Sequence, residues 1–229
     1  MLARPAARVK INRKALREPD EFQTLTQQAG EWAQGHRNLL LGVGAAVLGI
    51  AAVALGVGWY RSHQAAAAGA EFQAALNDFE AARFAPALEE FTAVGRDYPG
   101  TPFGRLSTLY RAHALARQGD AAGATTAYTE YLASSPATEY LRQEALAGLG
   151  AAKEAAGDKA GALDAYGQAA SIDGPFRIQA QLATARLHEL AGEPDKAREV
   201  YLAILKESPG GYVRSILETK IPADVAASH

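Results

Sequence analysis

The chain has 229 residues, no cysteine and a formal charge of -2. The missing cysteine excludes a disulfide framework, a thiolate metal site, a Cys nucleophile and the acylated cysteine of a bacterial lipoprotein. The near-neutral balance disfavours nucleic acid as a partner, and the length allows one or two domains with a sizeable core.

Residues 1–38 form a basic tail. Seven Lys/Arg (Arg4, Arg8, Lys10, Arg13, Lys14, Arg17, Arg37) stand against four acids (Glu18, Asp20, Glu21, Glu31). Pro19-Asp20 reads as a helix start, with Asp20 and Glu21 favourable at its positive end. Phe22, Leu25, Ala29 and Trp32 then fall on one helical face. Such a helix either lies in a membrane interface or extends the following segment, and Gly35 marks a break between the two.

Residues 39–60, Leu39 to Tyr60, carry no charge. At about 1.5 Å per residue they reach roughly 33 Å, enough to cross the bilayer hydrocarbon. Trp59 and Tyr60 close the stretch, where amphipathic aromatics favour the headgroup level. The expectation is a transmembrane helix that serves as an uncleaved anchor. A cleaved signal peptide, with Ala65–Ala68 as its cleavage site, and a buried soluble helix are the rival readings, though tail and stretch are long for a signal. Small residues recur four apart (Gly42/Ala46, Ala45/Gly49, Ala52/Gly56, Ala54/Gly58), which either lets a second helix approach closely or simply faces lipid. The basic residues between Arg4 and Arg17 set the expected orientation, N-terminus cytoplasmic and the larger part exported.

After this stretch four segments share one pattern: Ala82–Pro99, Gly119–Pro136, Gly157–Gly174 and Gly192–Pro209. A small residue recurs at Ala87, Ala124, Ala162 and Ala197, with an aromatic one turn later at Phe91, Tyr128, Tyr166 and Tyr201. A breaker follows at Pro99, Pro136, Gly174 and Pro209. Each has a physical task. Gly followed by an acid makes the tight turn between antiparallel helices, where glycine takes positive φ. The alanine lets helix B press on helix A, the aromatic fills the wedge toward the neighbouring pair, and proline ends helix B. Ala82 stands where the first turn glycine is expected.

The pattern resembles the tetratricopeptide repeat (TPR), a helix–turn–helix unit of about 34 residues. Units are drawn at 68–101, 105–138, 143–176 and 178–211. The family's helix-A tryptophan is missing, and Gly174 replaces one proline. The resemblance implies an all-α fold: a helical-hairpin solenoid of about four units behind one transmembrane helix. Residues 61–221 are expected to form the repeat domain, with Tyr212–Ile221 as a capping helix and 222–229 as a frayed tail. The first helix A has no proline between it and the apolar stretch, so one nearly continuous helix is expected to run through both.

No catalytic constellation is present. The five histidines (His36, His63, His113, His188, His229) make no HxxxH or HExxH spacing, and nucleotide-loop and GxSxG patterns are absent. Glu89-Glu90 reads as a solvated face, and Asp120, Asp158 and Glu193 belong to turns. Neither cofactor nor metal is expected, and the chain is read as a non-enzyme.

The resemblance implies a protein-binding groove lined by the A helices. Carried across by position, its residues are Leu109, His113 and Arg117, then Ala147, Ala151 and Glu154, then Leu182, Arg186 and Glu189. Arg117 and Arg186 are either carboxylate clamps or ordinary solvent-facing arginines. The groove is alanine-rich and weakly charged, which suits non-native chain or a partner helix better than an acidic tail.

Tail, single span and exported repeats in this order also resemble the bacterial ancillary SecYEG translocon subunit family. That resemblance implies a chaperone-like scaffold in the bacterial inner membrane, its C-terminal domain periplasmic, with translocon components, chaperones or non-native chains as partners. The alternative is a released periplasmic adaptor similar to the Tol-associated TPR proteins. Neither the oligomeric state nor the binding face is fixed by the sequence.

Overall fold

The computed structural model describes residues 21–134, 138–207 and 210–221. The basic run Arg4–Arg17, the start at Pro19-Asp20, the breakers Pro136 and Pro209 and the tail 222–229 lie outside the described residues. The chain divides into two compact units, Met1–Tyr60 and Arg61–His229.

In the first unit, α1 (Glu21–Gly35) ends at the glycine singled out above. His36 interrupts the helix for one residue, yet its N–H still donates to the Trp32 carbonyl at 3.0 Å. Its ring stacks on Trp32 with centroids 4.7 Å apart. Then α2 runs from Arg37 to Glu80 without a break. Its apolar part is exposed throughout: Leu48 is 72%, Ile50 71% and Leu55 75% accessible. None of the apolar window is buried inside the protein, although the helix is long and apolar enough to cross a membrane.

The second unit is an array of helical hairpins. The C-terminal part of α2 pairs with α3 (Phe84–Asp97), α4 (Pro102–Arg117) with α5 (Ala121–Ser134), α6 (Glu139–Ala155) with α7 (Lys159–Ser171), and α8 (Arg177–Leu190) with α9 (Pro194–Lys206); α10 (Gly211–Lys220) follows. Among the described residues there is no strand.

The turns show why the hairpins close. Gly119, Gly157 and Gly192 have φ of 84°, 83° and 74°, and Ala82 takes the same left-handed conformation at 58° without being glycine. Each turn satisfies two orphan carbonyls of the preceding helix. At the second, Gly119 N–H donates to Ala116 and Asp120 N–H to Leu115, and the first repeats this with Ala82 to Phe79 and Arg83 to Asp78. Asp120 and Asp158 then cap the next helix by accepting from the N–H of Gly123 and Gly161, both at 2.9 Å.

Within each hairpin the small residues meet where predicted. Ala87, Ala124 and Ala162 have no accessible surface and Ala197 is 2% accessible. Opposite them lies a second small series on the A helices, Ala75, Ala112, Gly150 and Ala185, also buried. The aromatic wedges fill the space this leaves. Tyr128 of α5 reaches α6, where a Cβ on Gly148 would sit 2.5 Å from its ring. Phe72, Phe91 and Tyr110 pack ring to ring at the first junction, with centroids 5.3 to 5.5 Å apart.

The breaker at Gly174 has its own cause. Gln143 is fully buried, and its amide donates to the carbonyls of Ala169 (3.1 Å) and Ile172 (2.7 Å) while its oxygen accepts from Phe176 N–H (3.2 Å). A Cβ at Gly174 would strike that oxygen. The side chain of Gln143 thus organises the end of α7, the task that proline has in the family pattern.

Candidate functional site

The proposed groove positions lie on the A helices; Glu154 and Arg186 are tied to each other, and His113 and Glu189 are tied to side chains outside the expected set. His113 of α4 is bonded through Nδ1 to the Tyr128 hydroxyl (2.7 Å) and through Nε2 to Glu144 of α6 (3.1 Å). A carboxylate only accepts, so in the neutral ring Nε2 carries the hydrogen and Nδ1 accepts from Tyr128. Burial, aided by the Glu144 charge, raises the Tyr128 phenol far above its ordinary range.

One unit further on, Glu154 of α6 accepts two bonds from Arg186 of α8 (2.5 and 2.7 Å) and one from the Tyr166 hydroxyl of α7 (3.2 Å). The Arg186 hydrogen bonds hold the Glu154 carboxyl below the usual glutamate range against an opposing effect of burial. Tyr166 is pushed up to about 12, by burial first and the Glu154 charge second. At the last junction Glu189 of α8 meets Lys220 of α10 at 3.1 Å, and burial beside Glu189 pushes Tyr201 of α9 up to about 12. Three successive junctions therefore repeat one device: a polar residue late in helix A, the helix-B tyrosine, and a charged residue on the helix that follows.

This arrangement changes how several expected groove residues are to be read. Leu109 has no accessible surface and belongs to the core with Ala112, Tyr128 and Leu149, so it cannot touch a partner. The helix turns that position inward, toward α5. Leu182 is half-buried against the last core cluster, and Ala147 is 8% accessible. Arg186 and Glu189 are accessible but already paired. Arg117 is exposed, with its guanidinium 5.5 Å from the Phe84 ring centroid. Ala116, Ala151 and Ala155 are exposed between these charges, and Leu190 is 63% accessible. The charged partners Glu144 and Lys220 were not among the expected site residues. Their signal was their position near an A-helix in the repeat register, which motif searching for isolated chemistry passes over.

Among the described residues no group of three or more His, Asp or Glu is placed to hold a metal ion.

Stacked antiparallel hairpins with a small-residue seam, an aromatic wedge and glycine turns define a helical-repeat protein. The chain belongs to the tetratricopeptide repeat-like domain family, which it matches over residues 31–226. No curated protein matches it. Among solved structures it is similar to MamA, residues 41 to the end, from Desulfovibrio magneticus: 14% identity, 61% of this chain and 74% of that one, TM-score 0.53. It is also similar to a tetratricopeptide repeat protein from Parabacteroides merdae: 18% identity, 67% of this chain and 59% of that one, TM-score 0.54. At these identities the likeness shows the fold alone. The fold is that of a protein–protein interaction scaffold, and no catalytic family is indicated.

Proposed function

We propose that the chain is a non-enzymatic scaffold, anchored in the bacterial inner membrane by Leu39–Tyr60, that binds other proteins at the cell envelope in a chaperone-like role beside the export translocon. The observation that carries the anchor is the complete exposure of an apolar helix surface, from Leu39 at 58% to Trp59 at 71% accessible. Water is a poor solvent for such a surface, and lipid is a good one. The family match begins at residue 31 and so includes this stretch. The tail lies on the cytoplasmic side and the repeats on the periplasmic side.

The A-helix surface supports the choice of partner. Glu154 with Arg186 and Glu189 with Lys220 are neutralised in pairs within the array, while Ala116, Ala151, Ala155 and Leu190 offer exposed apolar area. Burial of apolar partner surface is the driving force this arrangement favours.

Release by signal cleavage at Ala65–Ala68 is disfavoured, because Ala68 is fully buried in the first hairpin cluster and cleavage would cut α2 there. Two measurements test the proposal. Full-size protein should stay in the membrane pellet after alkaline extraction, and a mature form lacking the first ~65 residues would overturn the anchor. A photoreactive group at Arg117 or Ala151 should crosslink to translocon components or emerging chains in intact cells, and recovery of neither would overturn the choice of partner.

A further inference from the structure

The end of the array holds a helix that copies a neighbour. Ile216, Leu217, Lys220 and Ile221 of the last segment have the spacing of Leu182, Ala183, Arg186 and Leu187 in α8, one family repeat of about 34 residues earlier. The copies do the same work. Leu187 and Ile221 are 2% and 3% accessible, and Lys220 meets Glu189 as Arg186 meets Glu154. So α10 lies on α8 and α9 as a following helix A would.

It is the shorter copy. It has 10 residues where α8 has 14, and like α8 it starts with no side-chain cap. Helices shorter than about 12 residues have little stability of their own. Arg186 grips Glu154 through two bonds of 2.5 and 2.7 Å, whereas the Lys220 ammonium sits 3.1 Å from both Glu189 oxygens. A cleft of about 260 Å³, lined by Glu189, Pro194, Ala197, Arg198, Tyr201 and Lys220, stays open beside it.

We infer that the α8–α9 end is a docking site for a helix of a partner protein, and that α10 is the exchangeable plug that covers it. This rests on the protein-binding reading above and not on the membrane anchor. The occupant that fits is an amphipathic helix of about four turns. It carries arginine where α10 has Lys220, an apolar residue three positions before it and another directly after it. The arginine makes the bidentate pair with Glu189 that lysine cannot. A longer helix also fills the open cleft. A second copy's α10 would bring no better contacts than the chain's own, so the occupant is a different protein.

The test uses the full chain in detergent and a synthetic peptide of the α8 sequence, Arg177–Leu190, with Ala183→Leu, which carries the required register. Saturable binding is expected, with backbone amides of α10 losing hydrogen-exchange protection as the peptide binds. Lys220→Ala, which loosens the plug, should tighten binding several-fold, and Glu189→Gln should weaken it about tenfold. Folding of both variants is checked by unchanged exchange protection in α4–α7. Binding that leaves α10 protected would overturn the proposal, although a scaffold with another binding face would survive it. Absence of binding to both the natural chain and the Lys220→Ala variant would overturn it as well.

Discussion

Arg186 of α8 clasps Glu154 of α6 through two parallel bonds, and the Tyr166 hydroxyl of α7 closes on the same carboxylate. Three helices from two successive hairpins thus converge on one charge. The glutamate side chain is 21% accessible and the arginine 50%, so the pair is screened on one side only. Its contribution is about 1 kcal/mol, the upper end for a pair near the surface with good geometry.

A pH dependence follows from the depressed Glu154 ionisation. A carboxyl held lower in the folded chain than in the unfolded one stabilises above its unfolded value, near 4.3 for glutamate. That stabilisation disappears as pH falls through the lower folded value. Arg186→Gln should therefore unfold at lower denaturant concentration than the natural chain at pH 7, and the gap should close as pH falls through the depressed Glu154 ionisation. Denaturant titrations at pH 7 and at acid pH check this. A gap of the same size at both would assign the loss to packing by the arginine stem.

Ala82 holds a left-handed backbone conformation in a turn where the other three hairpins use glycine. A non-glycine residue there bears a strain of about 1–2 kcal/mol, set against the loss of chain freedom that glycine brings to the unfolded state. The strain is the larger effect, so Ala82→Gly should stabilise the array by about 1 kcal/mol. For a domain of this size that is a rise of about 2–4 °C in unfolding temperature. Gly119→Ala and Gly157→Ala should shift it by a similar amount in the opposite direction. Calorimetry of the three variants provides the comparison.

Much of the hairpin order was legible because glycine turns and alanine seams are written in single residues at fixed offsets. The seam on helix B was read, and its counterpart on helix A, Ala75, Ala112, Gly150 and Ala185, was not, because alanine is so common in this chain that a second series did not stand out. Leu109 was placed in the groove by family position, yet the core of the second hairpin claims it. The pairing of His113 with Glu144 and of Arg186 with Glu154 depends on which residues face each other across helices, which sequence spacing within one helix does not encode. Surface chemistry of a repeat array is decided between units, and each unit's own pattern is silent about it.

The glycines of α6 carry a sharper test of the wedges. A Cβ at Gly148 would lie 2.5 Å from the Tyr128 ring, and one at Gly150 would lie 2.6 Å from that of Tyr166. Gly167 on α7 has nothing within 4 Å. Gly148→Ala and Gly150→Ala should destabilise by about 1–3 kcal/mol through overpacking, because aromatic rings held on both faces have little room to shift. Gly167→Ala should stabilise by up to about 1 kcal/mol through helix propensity alone. The same substitution with opposite sign at neighbouring helical sites, read by chemical unfolding, isolates ring contact from backbone effects.

Restoring the family's proline at Gly174 should harm this protein. The position is crowded by Gln143, whose side-chain oxygen holds Phe176 N–H and whose amide holds the carbonyls of Ala169 and Ile172. A ring at residue 174 would displace that side chain and strand those backbone groups. Gly174→Pro is expected to cost about 2–4 kcal/mol, although it matches the repeat consensus. Gln143→Leu, which keeps the volume but makes none of the three bonds, should cost a comparable amount. The two effects should not add in the double variant, because both act through the same three backbone groups. A thermal-unfolding cycle of natural chain, both single variants and the double variant measures this coupling. Full additivity would mean that Gly174 is kept for its own backbone conformation, independent of the glutamine that reaches over it.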